Sequence, residues 1–497
     1  MKTIHTMKHL VHAIACGLLA AVATFGSGCA SYKASFISAY RQGEFAQACT
    51  EIQAEGQTAL THDNNGDHLI FLLEKGAACR AAGDLDQSNQ ALDEADRMFN
   101  KFDAKAKIRV GRQAMAAVTN LAELDYEGYG YDRIMMNAYK ALNYMEQGNL
   151  DFARAELKRV ADDQQIIEDR KRAKITEAEA ARKERPAAQA DSVDVNRTYN
   201  DPRVQSQINT LYPNLPDLAG RAIYTNAFAE YLQGIFYLHA GDASDREVGR
   251  VALRNSLGMV NNPYIQQDLQ LADEIANGRA TKPVTYVIFE SGIAPKRDEI
   301  RIDIPIFIFN IAAHDAGVDY VGVAFPKLVP EPGGYEALLV RAGTVSYQTL
   351  PLVDMDAVIA REFKDELPAV VTRTIIAAGT KAALAYAANR ATANSGNSNQ
   401  TNWVNLLTRV ATTAYQYGMN RADLRTWRTL PKRISMARFD TPADGMLTLS
   451  TPGGLPVGSV SLDPNAVNLV WVRGPADTGR YACRAAKLKT TTQGAKQ

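Results

Sequence analysis

At Pro283-Val-Thr-Tyr-Val-Ile-Phe-Glu290 the hydrophobic period of this 497-residue chain changes from helical to alternating. That change divides the fold in two. Residues 284–290 read as a strand. After the polar turn 291–298, Glu299-Ile-Arg-Ile-Asp-Ile-Pro-Ile-Phe-Ile-Phe309 reads as another. It sets Ile300, Ile302, Ile304, Ile306 and Ile308 on one face, with Arg301 and Asp303 on the other. Pro305 cannot donate to a ladder, so this strand is expected at an edge or bulged there. More strands are expected over 320–325, 337–341 and 344–353, and again over 433–439, 446–450, 458–462 and 468–473. Between the two groups, Asp354 and Asp356 are candidate caps for a helix over 357–367. Pro368 starts a second, Ala-rich helix to Thr392, and a third covers 402–417. Gly379, Ala383, Ala387 and Ala391 form a small-residue stripe, but Arg373, Lys381 and Arg390 interrupt the apolar run. A close-packed helical hairpin outside lipid is the expectation.

Upstream of Gly278 the pattern is helical. Four stretches join one helix to an Ala-rich second through a glycine turn, at Gly43, Gly83, Gly148 and Gly241. Tyr40-Arg-Gln-Gly43-Glu-Phe-Ala-Gln-Ala48 and Met145-Glu-Gln-Gly148-Asn-Leu-Asp-Phe-Ala153 are typical. They resemble tetratricopeptide repeats, although their spacing is not that family's regular period. The fold class expected is α+β. A TPR-like helical-hairpin array (29–280) is followed by a mostly antiparallel β domain (281–489) with an inserted Ala-rich helical hairpin (354–427), and a frayed tail (490–497). Within the array, 156–185 is a densely charged helix expected to project into solvent, and 186–202 a mobile linker. Tyr126, Tyr129 and Tyr131 precede a helix. They either pack within the array or anchor a partner at an interface.

The opening of the chain has a basic start (Lys2, Lys8), an apolar run from Leu10 to Phe25, and Gly26-Ser27-Gly28-Cys29-Ala30. This is the layout of a bacterial secretion signal. Its end resembles the lipobox of bacterial lipoproteins, which implies cleavage of residues 1–28 and lipid on Cys29. Without Asp after the cysteine, the outer membrane facing the periplasm is the expected address. Cys49, Cys79 and Cys483 would then remain, allowing at most one internal bridge. Cys49 and Cys79 fall on consecutive helices, whose antiparallel packing could bring their Cα atoms within about 7 Å. The alternative is two buried thiols acting as small hydrophobes.

Composition narrows the function classes. Formal net charge is zero, and no basic excess invites nucleic acid. Catalytic signatures are sparse. His62 and His68 flank an Asp/Asn loop that lacks the last acid of an EF-hand, and neither HExxH nor a P-loop is present. No cofactor, metal site or catalytic residue is expected. The cluster Arg421, Asp423, Arg425, Trp427 and Arg428 reads as a network at a domain junction.

The hairpins, "Ala-Leu-Asn-Tyr" (141–144), "Phe-Glu-Ser-Gly-Ile-Ala-Pro" (289–295) and "Asp-Leu-Arg-Thr-Trp-Arg-Thr-Leu-Pro" (423–431) together resemble a family of bacterial exported proteins. Its members are often lipoproteins with TPR-like repeats, and in some bacteria are found near lipoprotein activators of penicillin-binding proteins. No catalytic residues are assigned to it. The resemblance implies a non-enzymatic envelope lipoprotein, held to the membrane by its lipid, whose array binds an envelope protein. The alternative is a cell-wall or surface-glycan binding protein or enzyme working through its β domain.

Overall fold

A computed structural model of the chain describes residues 34–60, 66–109, 125–183, 192–220, 226–279, 281–310, 315–393, 421–477 and 479–490. The leader, Cys29, the helix expected over 402–417 and the tail beyond Thr490 lie outside these.

The helical half is built from pairs. α1 (Ala34–Arg41) pairs with α2 (Phe45–Leu60), α3 (His68–Ala82) with α4 (Leu85–Arg109), and α5 (Gly130–Glu146) with α6 (Leu150–Lys183). After β1 (Ser192–Val193) and three short helices, α7 (Val195–Asn200), α8 (Pro202–Leu211) and α9 (Leu215–Gly220), comes the next pair. This is α10 (Ala227–Ala240) with α11 (Ala243–Met259), and α12 (Pro263–Ala276) closes the array. At Gly43, Gly83 and Gly148 φ is positive, and the following residue's N–H returns to a carbonyl five positions back. Gly241 differs. Its φ is −84°, and a Cβ there would collide with the Tyr237 carbonyl. Cys49 of α2 and Cys79 of α3 form a disulfide with Cα atoms 4.8 Å apart, so of the two readings the bridge is the one present.

The strands are β2 (Val284–Ser291), β3 (Lys296–Asn310), β4 (Asp315–Val329), β5 (Leu339–Ala342), β6 (Val345–Gln348) and β7 (Leu350–Asp354). Helix α13 (Met355–Ala393) intervenes before β8 (Arg433–Asp440), β9 (Met446–Ser450), β10 (Pro456–Ser461), β11 (Ala466–Gly474) and β12 (Ala482–Thr490). Among the described residues three sheets result, ordered β12-β11-β2-β8-β7, β10-β9-β5-β6 and β1-β3-β4. All pairings are antiparallel except β11 with β2.

The five-stranded sheet is the middle layer. Val287, Phe289, Phe439, Val470 and Val472 face the four-stranded sheet, meeting Leu338, Val340, Leu447 and Leu449. Tyr286, Ile288, Met436, Leu469 and Trp471 face the helices, in one core with Leu73, Tyr139, Leu142 and Phe236. Strand β2 is buried along its whole length, which is why its sequence reads as an apolar run. Helices and sheet therefore share a core at the boundary expected near residue 280.

A satellite core lies under the β3–β4 hairpin. Ile304, Ile306, Val321, Val323 and Phe325 pack on Phe363, Val371 and Ile375 of α13 and on Val204 and Ile208 of α8. Pro305 sits on the open side of β3, because β1 pairs only with Phe309 and Ile308.

Three expectations are corrected. The helix does not break at Pro368. α13 runs through it for 39 residues, since one lost hydrogen bond is outweighed by the flanking buried turns around Phe363, Val371 and Ile375. The segment 186–202 is not a linker throughout, because from Ser192 it forms β1 and α7 against β3. The charged helix, part of α6, does not project freely. Lys171 pairs with Asp365 at 2.6 Å and Lys174 with Glu366 at 3.1 Å, tying α6 to α13. Strand β12 has no counterpart among the expected strands, because its alternation is of Ala with Arg and Lys. Among the described residues no helix is long and apolar enough to cross a membrane.

Candidate functional site

The inner helices of the array, α1, α3, α5 and α10, turn one face toward the five-stranded sheet. Residues 421–432 run across that face without helix or strand of their own before entering β8. The sequence cluster 421–428 and the tyrosine cluster 126–131, far apart in the chain, meet here.

Each residue from Arg425 to Thr429 is held by the array. Arg425 donates to the Gly66 carbonyl (3.2 Å) and Asp67 (2.9 Å), with Asp423 bracing its other edge at 2.8 Å. Its guanidinium lies 5.5 Å from the Tyr126 ring centre. Thr426 meets the Tyr131 hydroxyl at 3.4 Å. Trp427 is fully buried, edge-on to Tyr139 with centroids 5.8 Å apart, and its indole N–H donates to Thr429. The Glu74 carboxylate of α3 accepts the Arg428 and Thr429 amides (2.7 and 3.1 Å) and the Thr429 hydroxyl. The Thr429 carbonyl accepts from Tyr40 of α1 and from Arg473 of β11, both at 3.2 Å. The lone Glu that closes the apolar run Leu69-Ile-Phe-Leu-Leu73 is the sequence signal for this contact, and periodicity alone does not single it out.

Tyr126, Tyr129 and Tyr131 do not present an outward surface. Tyr126 and Tyr131 are 3% and 2% exposed, and Tyr129 is half-buried. They form a column, Tyr126 edge-on to Tyr129 and Tyr129 stacked on Tyr131 at 5.3 Å. Arg297 of β3 lies 4.3 Å from the Tyr129 ring centre and donates to its hydroxyl. Beside them, Glu362 of α13 accepts the Gly130 and Tyr131 amides at 2.6 and 3.2 Å. It thereby fills the amino end of α5, where the helix dipole favours a carboxylate. The interface expectation for these tyrosines is corrected: the surface they contact belongs to the chain's own carboxy-terminal half.

Deeper still, Arg473 and Glu290 are both fully buried. Arg473 Nε is 3.9 Å from Glu290 Oε2, which also accepts the Tyr139 hydroxyl at 3.1 Å. Trp471 lies between the guanidinium groups of Arg80 (4.5 Å) and Arg484 (4.4 Å), and Glu146 bridges the two arginines at 2.7 Å each. A second buried cluster joins α10, α12 and the sheet. Asp268 accepts from Tyr231 (2.8 Å), Tyr286 (2.9 Å) and Arg438 (3.2 Å), and His239 meets the Tyr286 hydroxyl at 2.8 Å. Among the described residues no group of three His, Cys, Asp or Glu side chains could hold a metal ion.

No family model matches the chain, and no curated protein or solved structure is significantly similar to it. The geometry itself must carry any reading. Its carboxylates are engaged with main-chain amides, hydroxyls and guanidinium groups, an arrangement that recognises and fastens a segment of chain.

These buried acids carry a pH signature. Burial pushes the carboxyls of Glu74 and Asp132 up to about 7, against the opposing pull of their hydrogen bonds. Burial and the neighbouring Glu366 bring Glu362 to about 7, and burial brings Asp268 to about 6. A raised folded value means that the native state holds the proton more tightly. The resulting stabilisation is complete below the ordinary carboxyl range and is lost as pH rises through 6 to 7. His239 opposes this, since burial lowers it to about 3 and its contribution is lost on acidification. Burial lowers the half-buried His68 too, but four acids against two histidines set the sign. Thermal melting is expected to give a higher Tm near pH 5.5 than near pH 7.5, and a Tm rising steadily over that range would refute the buried-acid reading.

Proposed function

We propose that the chain is an envelope lipoprotein, anchored through Cys29 and facing the periplasm from the outer membrane, that serves as a protein-interaction scaffold in cell-wall or surface assembly. The Cys49–Cys79 disulfide supports a place outside the cytoplasm. The observation that carries the scaffold reading is the filling of the array's inner face by residues 421–432. It leaves the outer helices as the array's free surface. Phe152 on α6 and Val248 and Val251 on α11 are 57%, 48% and 47% exposed there, and a partner protein is expected to cover them. Glycan binding by the carboxy-terminal half is the second reading. Tyr320, 59% exposed on β4 with its hydroxyl accepting from Arg203 at 2.7 Å, offers the ring and polar neighbour that a sugar face would use.

Replacing Cys29 by Ser is expected to move the protein from the membrane to the soluble fraction or leave it uncleaved. Unchanged lipid labelling of that variant defeats the anchor. With the anchor intact, a photo-crosslinking residue at Phe152 or Val251 is expected to capture a discrete protein. Capture of glycan from Tyr320, with none of protein from the helices, would replace the scaffold reading by the second.

A further inference from the structure

We infer that the inner face of the helical array is a peptide-recognition groove, and that residues 425–430 of the same chain are its resident ligand. The segment shows the marks of a bound peptide rather than of a sheet strand or helix. It has no regular structure of its own, and its backbone is read by side chains: Glu74 takes two consecutive amides, while Tyr40 and Arg473 take the Thr429 carbonyl. Main-chain hydrogen bonds of this kind supply affinity, and side-chain pockets supply specificity. The pocket here takes Trp427, which is fully buried against Tyr139. An arginine two places before it is met by Asp67 and the Gly66 carbonyl, and the arginine one place after it reaches Glu331 at 2.6 Å.

The reading side belongs mostly to helices α1, α3 and α5, which also hold one another through contacts that do not involve the segment. Arg80 of α3 holds Asn143 and Glu146 of α5 at 2.6 and 2.7 Å, and the disulfide ties α3 to α2. The groove's chemistry therefore fits an extended peptide with the pattern Arg-x-Trp-Arg-Thr. Covalent attachment gives the internal copy a high effective concentration, so a free peptide of that sequence enters only when the internal anchor is weakened.

The test uses the full mature chain and a labelled synthetic peptide of residues 421–432. In the Trp427→Ala variant the peptide is expected to bind with a Kd below about 100 µM. Binding at least about tenfold weaker is expected for the wild-type chain, for the Trp427→Ala, Glu74→Ala double variant, and for a peptide carrying Ala at the Trp position. If Trp427→Ala alone does not fold, the native peptide supplied during refolding is expected to restore protease resistance, and the Ala-bearing peptide is not. A folded variant that binds neither peptide or both equally, or an unfolded one that the native peptide does not rescue, overturns the inference.

Discussion

Replacing Arg473 by methionine is expected to lower the free energy of unfolding by about 3–5 kcal/mol, the range for removing one partner of a buried charge pair. Arg473 is fully buried and touches each layer of the junction. It donates to the Tyr40 hydroxyl of α1 (3.1 Å), to the Glu290 carbonyl of β2 and the Thr429 carbonyl (both 3.2 Å), and faces the Glu290 carboxylate. Burial already raises the Glu290 carboxyl and Arg473 is the first group to oppose it, so its loss removes the acid's main compensation and leaves Arg80, Trp471 and the Tyr139 hydroxyl to oppose burial. Adding Glu290→Gln to Arg473→Met removes the stranded charge and is expected to recover about half of the loss. Urea titration of the three variants measures both effects. A loss below about 1 kcal/mol for the single variant would show the pair to be solvated, as a surface ion pair is.

The Cys49→Ala, Cys79→Ala double variant is expected to lose about 3–4 kcal/mol, from the chain entropy released by opening a loop of this length. The two cysteines are 30 positions apart and close the loop containing the α2–α3 turn. Both are buried, at 6% and 0% exposure, and alanine fits there with the loss of only a sulfur atom each. The effect therefore reports the cross-link more than the packing. Peptide mapping without reduction is expected to recover the two cysteines in one linked species. Recovery of both as free thiols contradicts the bridge, and an unchanged urea midpoint contradicts its contribution.

Much of the architecture can be read from residue order. Alternation through Ile300 to Ile306 gives strand β3 and its buried face, and the glycines at 43, 83 and 148 mark hairpins because a left-handed turn there needs them. Strand β12 escaped because alanines, lysines and an arginine carry weak strand preference, and only the neighbouring β11 and the helix ends make that strand favourable. The tyrosine column shows the other limit. Local pattern announces that Tyr126, Tyr129 and Tyr131 will be covered by something. That the cover is Arg297 of β3 and Glu362 of α13 depends on contacts more than 160 positions away, which no window of sequence contains. Residues 421–428 were legible as a junction cluster from their density of charge and one Trp. Their partner Glu74 became legible only once α3 lay beside them.

The array and the carboxy-terminal half are expected to unfold as one cooperative unit, because residues 421–432 and the five-stranded sheet fill the array's inner face. Urea unfolding followed at once by helical circular dichroism and by tryptophan fluorescence tests it directly, since two of the chain's three tryptophans, Trp427 and Trp471, lie at the junction and most of the helices lie on one side of it. The expected result is a pair of superimposable transitions with one midpoint. Fluorescence changing at a lower urea concentration while the helical signal persists would show an array that stands without its filling, and would contradict the claim.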